Sequence, residues 1–163
     1  MKIERATADA VRYVALNMRD RDFAEFSAVS PADTREQLAG VLARSYGGRD
    51  DVMCGYDGSG PVCIGGTLEM WPNVITLLFF ATDDFPKIAL PVTRFIRGLF
   101  KRYEAAGVHR IQAISLAGYD KTHQWLGALG LRPETGPMKG YGRHGEDFIQ
   151  FSRLSDDVRS PRA

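Results

Sequence analysis

The sequence predicts an α/β (α+β) domain: a mixed, mostly antiparallel central sheet of about six strands, flanked by about four helices. Three observations predict it. In several windows apolar residues recur at spacings of three and four, the period of an amphipathic helix. Other windows are continuous apolar and β-branched runs of strand length, such as VITLLFFAT at 74–82. Strands meet through turn signals in mid-chain and through helices later, which calls for antiparallel and parallel neighbours in one sheet.

The elements follow in order. Residues 2–6 predict a short strand, and Thr7 or Asp9 caps a helix whose stripe is Val11, Val14, Ala15 and Met18. That helix is expected to continue, broken or kinked, through Phe23 and Phe26. Ser30-Pro31-Ala32-Asp33 has a cap-then-proline signature, so a second helix is expected from there, burying Leu38, Val41 and Leu42 and ending at Gly47-Gly48. DVMCGYD, the turn signal Asp57-Gly58-Ser59-Gly60 and PVCIGG predict a β-hairpin whose second arm runs to Met70. If Tyr56 faces Pro61, Cys54 lies opposite Cys63. Two small buried thiols are the simpler expectation there, and a redox pair the alternative. After the turn at Trp71-Pro72-Asn73 comes the 74–82 strand, expected to be central and covered on both sides. Residues 83–90 predict a loop, and Pro91 opens a long helix with Val92, Phe95, Ile96, Leu99, Phe100 and Tyr103 as its apolar stripe, closed by Gly107. A buried strand at 109–116, a short helix to Leu129 closed by Gly130, and a last strand at 148–154 complete the series.

Residues 1–154 are thus expected to form one domain and 155–163 a solvated C-terminal tail. With 163 residues, 44% of them apolar, the chain has material for a real core. Its 21 Lys and Arg nearly balance 20 Asp and Glu, so no global field recruits nucleic acid or a membrane surface. No run approaches eighteen apolar residues, and the N-terminus lacks a signal-peptide core; neither a membrane span nor secretion by that route is expected. Two cysteines without CxxC or histidine partners at ligand spacing give no metal site.

The stretch IQAISLAGYDKTHQWLGALGLRPE, with Trp125, Leu129, Gly130 and Leu131, resembles the end of a GCN5-related N-acetyltransferase (GNAT) domain, and the element order over residues 1–154 is similar to that family's. A narrower likeness is to the acetyltransferase-like small internal virion proteins of short-tailed phages. It rests on Ile64-Gly65-Gly66, Thr82-Asp83-Asp84, the basic helix from Pro91 and His123-Gln124-Trp125-Leu126, in that order. The likeness implies a GNAT fold and, in an active member, acetyl-CoA held at the splayed ends of the central strands by a glycine-rich loop before the third helix. Residues 83–90 (DDFPKIAL) stand at that loop without a glycine, with two carboxylates where a pyrophosphate would lie and with Pro86 lacking an N–H. Leu126 stands where the family commonly places a tyrosine proton donor, and leucine transfers no proton.

The resemblance therefore implies two readings. In the first, the chain is a degenerate acetyltransferase serving as an internal or tail/connector structural protein of a phage particle. It is then found in the virion or host cytoplasm, packed against other phage structural proteins, with self-assembly left open and no cofactor expected. In the second it is an active N-acetyltransferase that binds acetyl-CoA and modifies a host or phage amine. For that case the catalytic candidates are Glu69, as base, and Tyr119, reaching in from its loop, and the cofactor candidates are Phe80, Ala81, Thr82 and Lys87. A regulatory module using the old cleft is a third reading that no ligand chemistry in the sequence favours. His123 is simplest as a capping or surface residue, and no Ser or Cys is partnered with a histidine as a hydrolase triad requires.

Overall fold

The computed structural model of the chain describes residues 1–159. One seven-stranded sheet organises it, in the order β1-β2-β3-β4-β5-β7-β6. The strands are β1 (Lys2–Arg5), β2 (Val52–Asp57), β3 (Gly60–Trp71), β4 (Val74–Ala81), β5 (Arg110–Leu116), β6 (Arg132–Pro133) and β7 (Phe148–Leu154). The helices are α1 (Ala8–Leu16), α2 (Asp20–Ala28), α3 (Arg35–Tyr46), α4 (Ala89–Ala105), α5 (Asp120–Ala128) and the single turn α6 (Asp156–Arg159), with a 3-10 turn at Phe85–Lys87. The sheet is antiparallel except where β4 meets β5.

The sheet divides the core in two. Val62, Cys63, Ile75, Leu77, Ile96, Phe100, Ile111 and Leu129 fill one side under α4 and α5. Val11, Val14, Leu38, Val52, Cys54, Ile64, Leu78 and Phe80 fill the other under α1 and α3. The alternation of strand side chains produces this division, except at the β2–β3 bulge, where the neighbours Val62 and Cys63 enter the same core. Along β4, Leu77 and Ala81 go to one core while Leu78 and Phe80 go to the other, as a strand covered on both faces requires.

Several expectations need correction. There are seven strands rather than about six, because β6 is only two residues long and opens with Arg132, giving no periodic signal. The first helical stretch is broken rather than kinked: α1 ends at Leu16, Met18 forms an isolated bridge to Thr82, and α2, which carries Phe23 and Phe26, begins at Asp20. The helix expected from Ser30 starts at Arg35. Thr34 is its N-cap, accepting from the Gln37 N–H at 3.1 Å, while the Gln37 side chain accepts from the Asp33 N–H at 2.8 Å. This variant of a capping box outcompetes the Ser-Pro signal upstream. Pro91 lies inside the first turn of α4 rather than opening it, since the 3-10 turn feeds straight into the helix. Of the expected tail 155–163, residues 156–159 form α6 and residues 160–163 lie outside the described residues.

The cysteines do not face one another. A bulge between Gly55 and Tyr56 shifts the register after the Tyr56–Pro61 pair, placing Gly55 opposite Cys63 and Cys54 opposite Ile64. Cys54 and Cys63 consequently enter opposite cores, and both are free thiols. Burial pushes their pKa values up, to about 11 and about 12. Gly55 is dictated by contact, since a Cβ there would lie 2.8 Å from the Cys63 Sγ. Gly66 also reflects close packing, with a Cβ position 3.2 Å from Val52.

Candidate functional site

The site follows from where two parallel strands part. Only Val74, Ile75 and Thr76 of β4 pair with β5, opposite Arg110, Ile111 and Gln112. Beyond them the strands diverge and a cleft of about 410 Å3 opens, lined by α2, the splayed strands, the Phe85–Lys87 turn and α5. The Thr82 N–H donates to the Val62 carbonyl on the β3 side, so alternation turns the backbone of Ala81, Phe79 and Leu77 toward the cleft. Likewise the Ala117 N–H donates to the Asp147 carbonyl on the β7 side, which turns Leu116 and Ile114 toward it.

Two acids of α2 close these edges. Asp22 and Glu25 are three residues apart and share a helix face. Asp22 accepts from the Ala81 N–H at 2.9 Å and is held by Arg19 through Nε and Nη2 at 2.9–3.1 Å. The Arg19 N–H in turn donates to the Ala81 carbonyl at 2.9 Å. Glu25 Oε2 accepts from the Leu116 N–H at 3.1 Å and the Ser115 hydroxyl at 3.2 Å, while Oε1 makes no hydrogen bond among the described residues. Burial raises the Asp22 pKa, opposed chiefly by the Arg19 charge. Burial raises that of Glu25 to about 7, against the Leu116 N–H and with help from the Asp22 charge.

The far wall of the cleft is aromatic. Phe79 meets Phe85 at 5.0 Å and Trp125 at 4.5 Å between ring centroids, and Phe85 stands edge-on to Trp125 at 5.8 Å. The Trp125 indole N–H donates to Thr93 Oγ1 at 2.9 Å, tying α5 to α4. Arg19 lies over Phe85 with its guanidinium carbon 5.5 Å from the ring centroid, joining the α2 side to the turn.

The sequence-derived candidates fare unequally. Glu69 is exposed on β3 opposite Ile75 and does not line the cleft. Tyr119 caps α5 close enough to Glu25 and Asp22 that their charges, after burial, raise its pKa. Phe80 is fully buried in the α1/α3 core, edge-on to Phe26. The Ala81 N–H and C=O are both taken, by Asp22 and Arg19. Thr82 is occupied too: its N–H by Val62, its carbonyl by the Phe85 N–H and its hydroxyl by the Asp84 N–H. Lys87 is exposed and paired with Asp84 at 2.8 Å. His123 Nε2 contacts the Leu116 carbonyl at 3.1 Å, a capping role. The basic residues Arg94, Arg97, Lys101 and Arg102 form the solvated side of α4.

Arg19, Arg21, Asp22 and Glu25 were not singled out by sequence reasoning. A signal existed, because Asp22, Glu25, Phe26 and Val29 form one helical stripe in which acids stand where burial asks for apolar residues. Among the described residues no group of three or more His, Cys, Asp or Glu is placed to hold a metal ion, and no helix is long and apolar enough to cross a membrane.

No family model and no curated protein matches this chain. Solved structures do. A ribosomal-protein-S18-alanine N-acetyltransferase from Escherichia coli is 16% identical, with a TM-score of 0.67 over 94% of this chain and 92% of its own. A GNAT-family acetyltransferase from Bacillus anthracis is 15% identical, with a TM-score of 0.66 over 93% of each chain. A point mutant of a spermidine N-acetyltransferase from Vibrio cholerae is 12% identical, with a TM-score of 0.66 over 94% of this chain and 95% of its own. This likeness shows that the chain has the GNAT fold.

The fold implies acetyl-CoA, and the residues present do not fit it. A pyrophosphate cradle needs backbone N–H groups free to donate. Here the Asp84, Phe85, Lys87 and Ile88 N–H groups bond within the turn, Pro86 has none, and Asp84 adds a carboxylate. The β4 edge at Ala81 is covered by Arg19 and Asp22, and the Trp125–Thr93 bond bridges α5 to α4 beside it.

Proposed function

We propose that this chain keeps the GNAT scaffold without acetyl-CoA chemistry and serves as a structural component of a phage particle. The observation that carries the first half is that the turn before α4 and the Ala81 edge use their own N–H groups. Every residue from Asp84 to Ile88 that has an N–H uses it internally, and Asp22 occupies the Ala81 N–H. The second half is supported by the ordered likeness of Ile64-Gly65-Gly66, Thr82-Asp83-Asp84 and His123-Gln124-Trp125-Leu126 to phage internal virion proteins. A net charge of +1 suits a subunit that packs against other proteins. Mass spectrometry of purified particles tests it: the expected result is this chain at a constant ratio to the major structural proteins, and its absence from particles contradicts the structural role.

One observation favours a second reading. Glu25 holds a carboxyl titrating near neutrality at the fork of β4 and β5, the environment of a general base. Under this reading the chain is an acetyl-CoA-dependent N-acetyltransferase, and Glu25 rather than Glu69 receives the proton of the acceptor amine. The Asp22–Ala81 and Trp125–Thr93 bonds must then part before a cofactor enters.

A further inference from the structure

We infer that the open edge of β1 pairs antiparallel with the β1 edge of a second copy of this chain, around a two-fold axis at Ile3. β1 is the first strand of the sheet, and among the described residues no strand lies beyond it. The Ala6 N–H donates to the Val52 carbonyl, in line with the Lys2–Tyr56 and Glu4–Cys54 pairs, so alternation turns the N–H and C=O of Ile3 and Arg5 away from β2. An edge of that kind is a template on which another strand can add.

Charge selects the partner and the register. Lys2 and Glu4 are exposed, stand on the same face of β1 and form an ion pair at 2.7 Å. Two copies that hydrogen-bond through their outward residues have only a few two-fold registers. An axis at Lys2, Glu4 or Arg5 sets that charge against its own copy, which is unfavourable. At Ile3 opposite charges meet instead: Lys2 faces Glu4 of the second copy, and Glu4 faces its Lys2. Both pairs then fall at positions without backbone bonds, where side chains across the ladder come closest. Ile3 exchanges both of its backbone bonds with its copy. On the other face the Ile3 side chain lines a shallow apolar groove with Met53, Phe95 and Leu99, and the second copy continues that floor. Charges on an edge strand ordinarily block pairing; alternating in sign here, they block every two-fold register but one.

The interface goes beyond the proposed function and is separate from the cleft, since β2 and β3 stand between β1 and β4. So short an edge predicts a weak dimer, with a dissociation constant on the order of tens of micromolar. Sedimentation velocity of the full chain from about 1 µM to about 500 µM should show a concentration-dependent monomer–dimer equilibrium. Lys2→Glu and Glu4→Lys should each weaken it about ten-fold or more, because each sets like charges opposite one another. Mixed one to one, the two variants should associate with each other about as tightly as wild type does, because one carries two acids and the other two lysines. Hydrogen exchange of the wild-type chain gives a second readout: the Ile3 and Arg5 amides should gain protection as concentration rises. A wild-type chain that stays monomeric throughout overturns the inference. So does a dimer that either single variant leaves intact, a variant mixture that remains monomeric, or Ile3 and Arg5 amides whose exchange is independent of concentration.

Discussion

Asp22→Ala is expected to lower the unfolding free energy by about 3–5 kcal/mol, the range for removing one partner of a buried ion pair. For a chain of this size that lowers the melting temperature by roughly 6–20 °C. Three things are lost together. Arg19, only 14% exposed in its side chain, keeps its charge without a partner; the Ala81 N–H loses its acceptor; and the bridge from α2 to the end of β4 opens. Asp22→Asn should fall between the variant and wild type, since an amide oxygen can still accept from Ala81 but cannot neutralise Arg19. Urea unfolding of the three proteins measures this. An Asp22→Ala variant within about 1 kcal/mol of wild type would show that the edge closure contributes little.

Glu25→Gln is expected to stabilise the protein at pH 8 and to be neutral at pH 4.5. The Glu25 carboxyl is raised from an ordinary value of 4.5 to about 7 in the folded chain. Between these values the folded state holds a proton that the unfolded state has released, so stability falls as pH rises from about 4.5 to 7 and stays low above. The gap corresponds to at most about 3 kcal/mol. Glutamine keeps an oxygen for the Leu116 N–H and the Ser115 hydroxyl and turns its amide to the cleft, without the charge. Arg19, Asp22 and Tyr119 stand around the group and are present in both proteins, so their contributions cancel to first order in the difference. Urea unfolding of both proteins across pH 4.5–8 should give curves that meet at the acid end and separate above pH 7, with the variant higher. A variant less stable than wild type at pH 8 contradicts a destabilising buried charge at this position.

Much of the fold was legible because its elements are strongly periodic. β7 at 148–154 and the long helix from residue 91 onward needed only their apolar pattern, and the whole β2–β3–β4 meander followed from its turn residues. What escaped was decided by local competition. The Thr34–Gln37 cap overrode a Ser-Pro signal, and a one-residue bulge at Gly55 reversed the facing of a cysteine. β6 was too short to carry a period. The site was legible by its departures, residues 83–90 and Leu126, but not by its constituents. The sequence shows that DDFPKIAL lacks glycine; only the folded chain shows that the Asp84, Phe85, Lys87 and Ile88 N–H groups are already bonded and that Asp22 accepts from the Ala81 N–H. Glu69 was plausible from its strand position and proved exposed, whereas Glu25, hidden within an acidic helix, reaches Leu116 ninety-one residues away in sequence. Long-range pairing of that kind leaves no local trace.

The closed cofactor path is tested most directly by calorimetric titration of the wild-type chain with acetyl-CoA at neutral pH. The occupied N–H groups of Asp84, Phe85, Lys87, Ile88 and Ala81 and the carboxylate at the turn predict no measurable heat of binding up to about 1 mM ligand. Stoichiometric binding with a micromolar dissociation constant would show that Asp22, Trp125 and the 83–88 turn open for the cofactor, and would contradict the account.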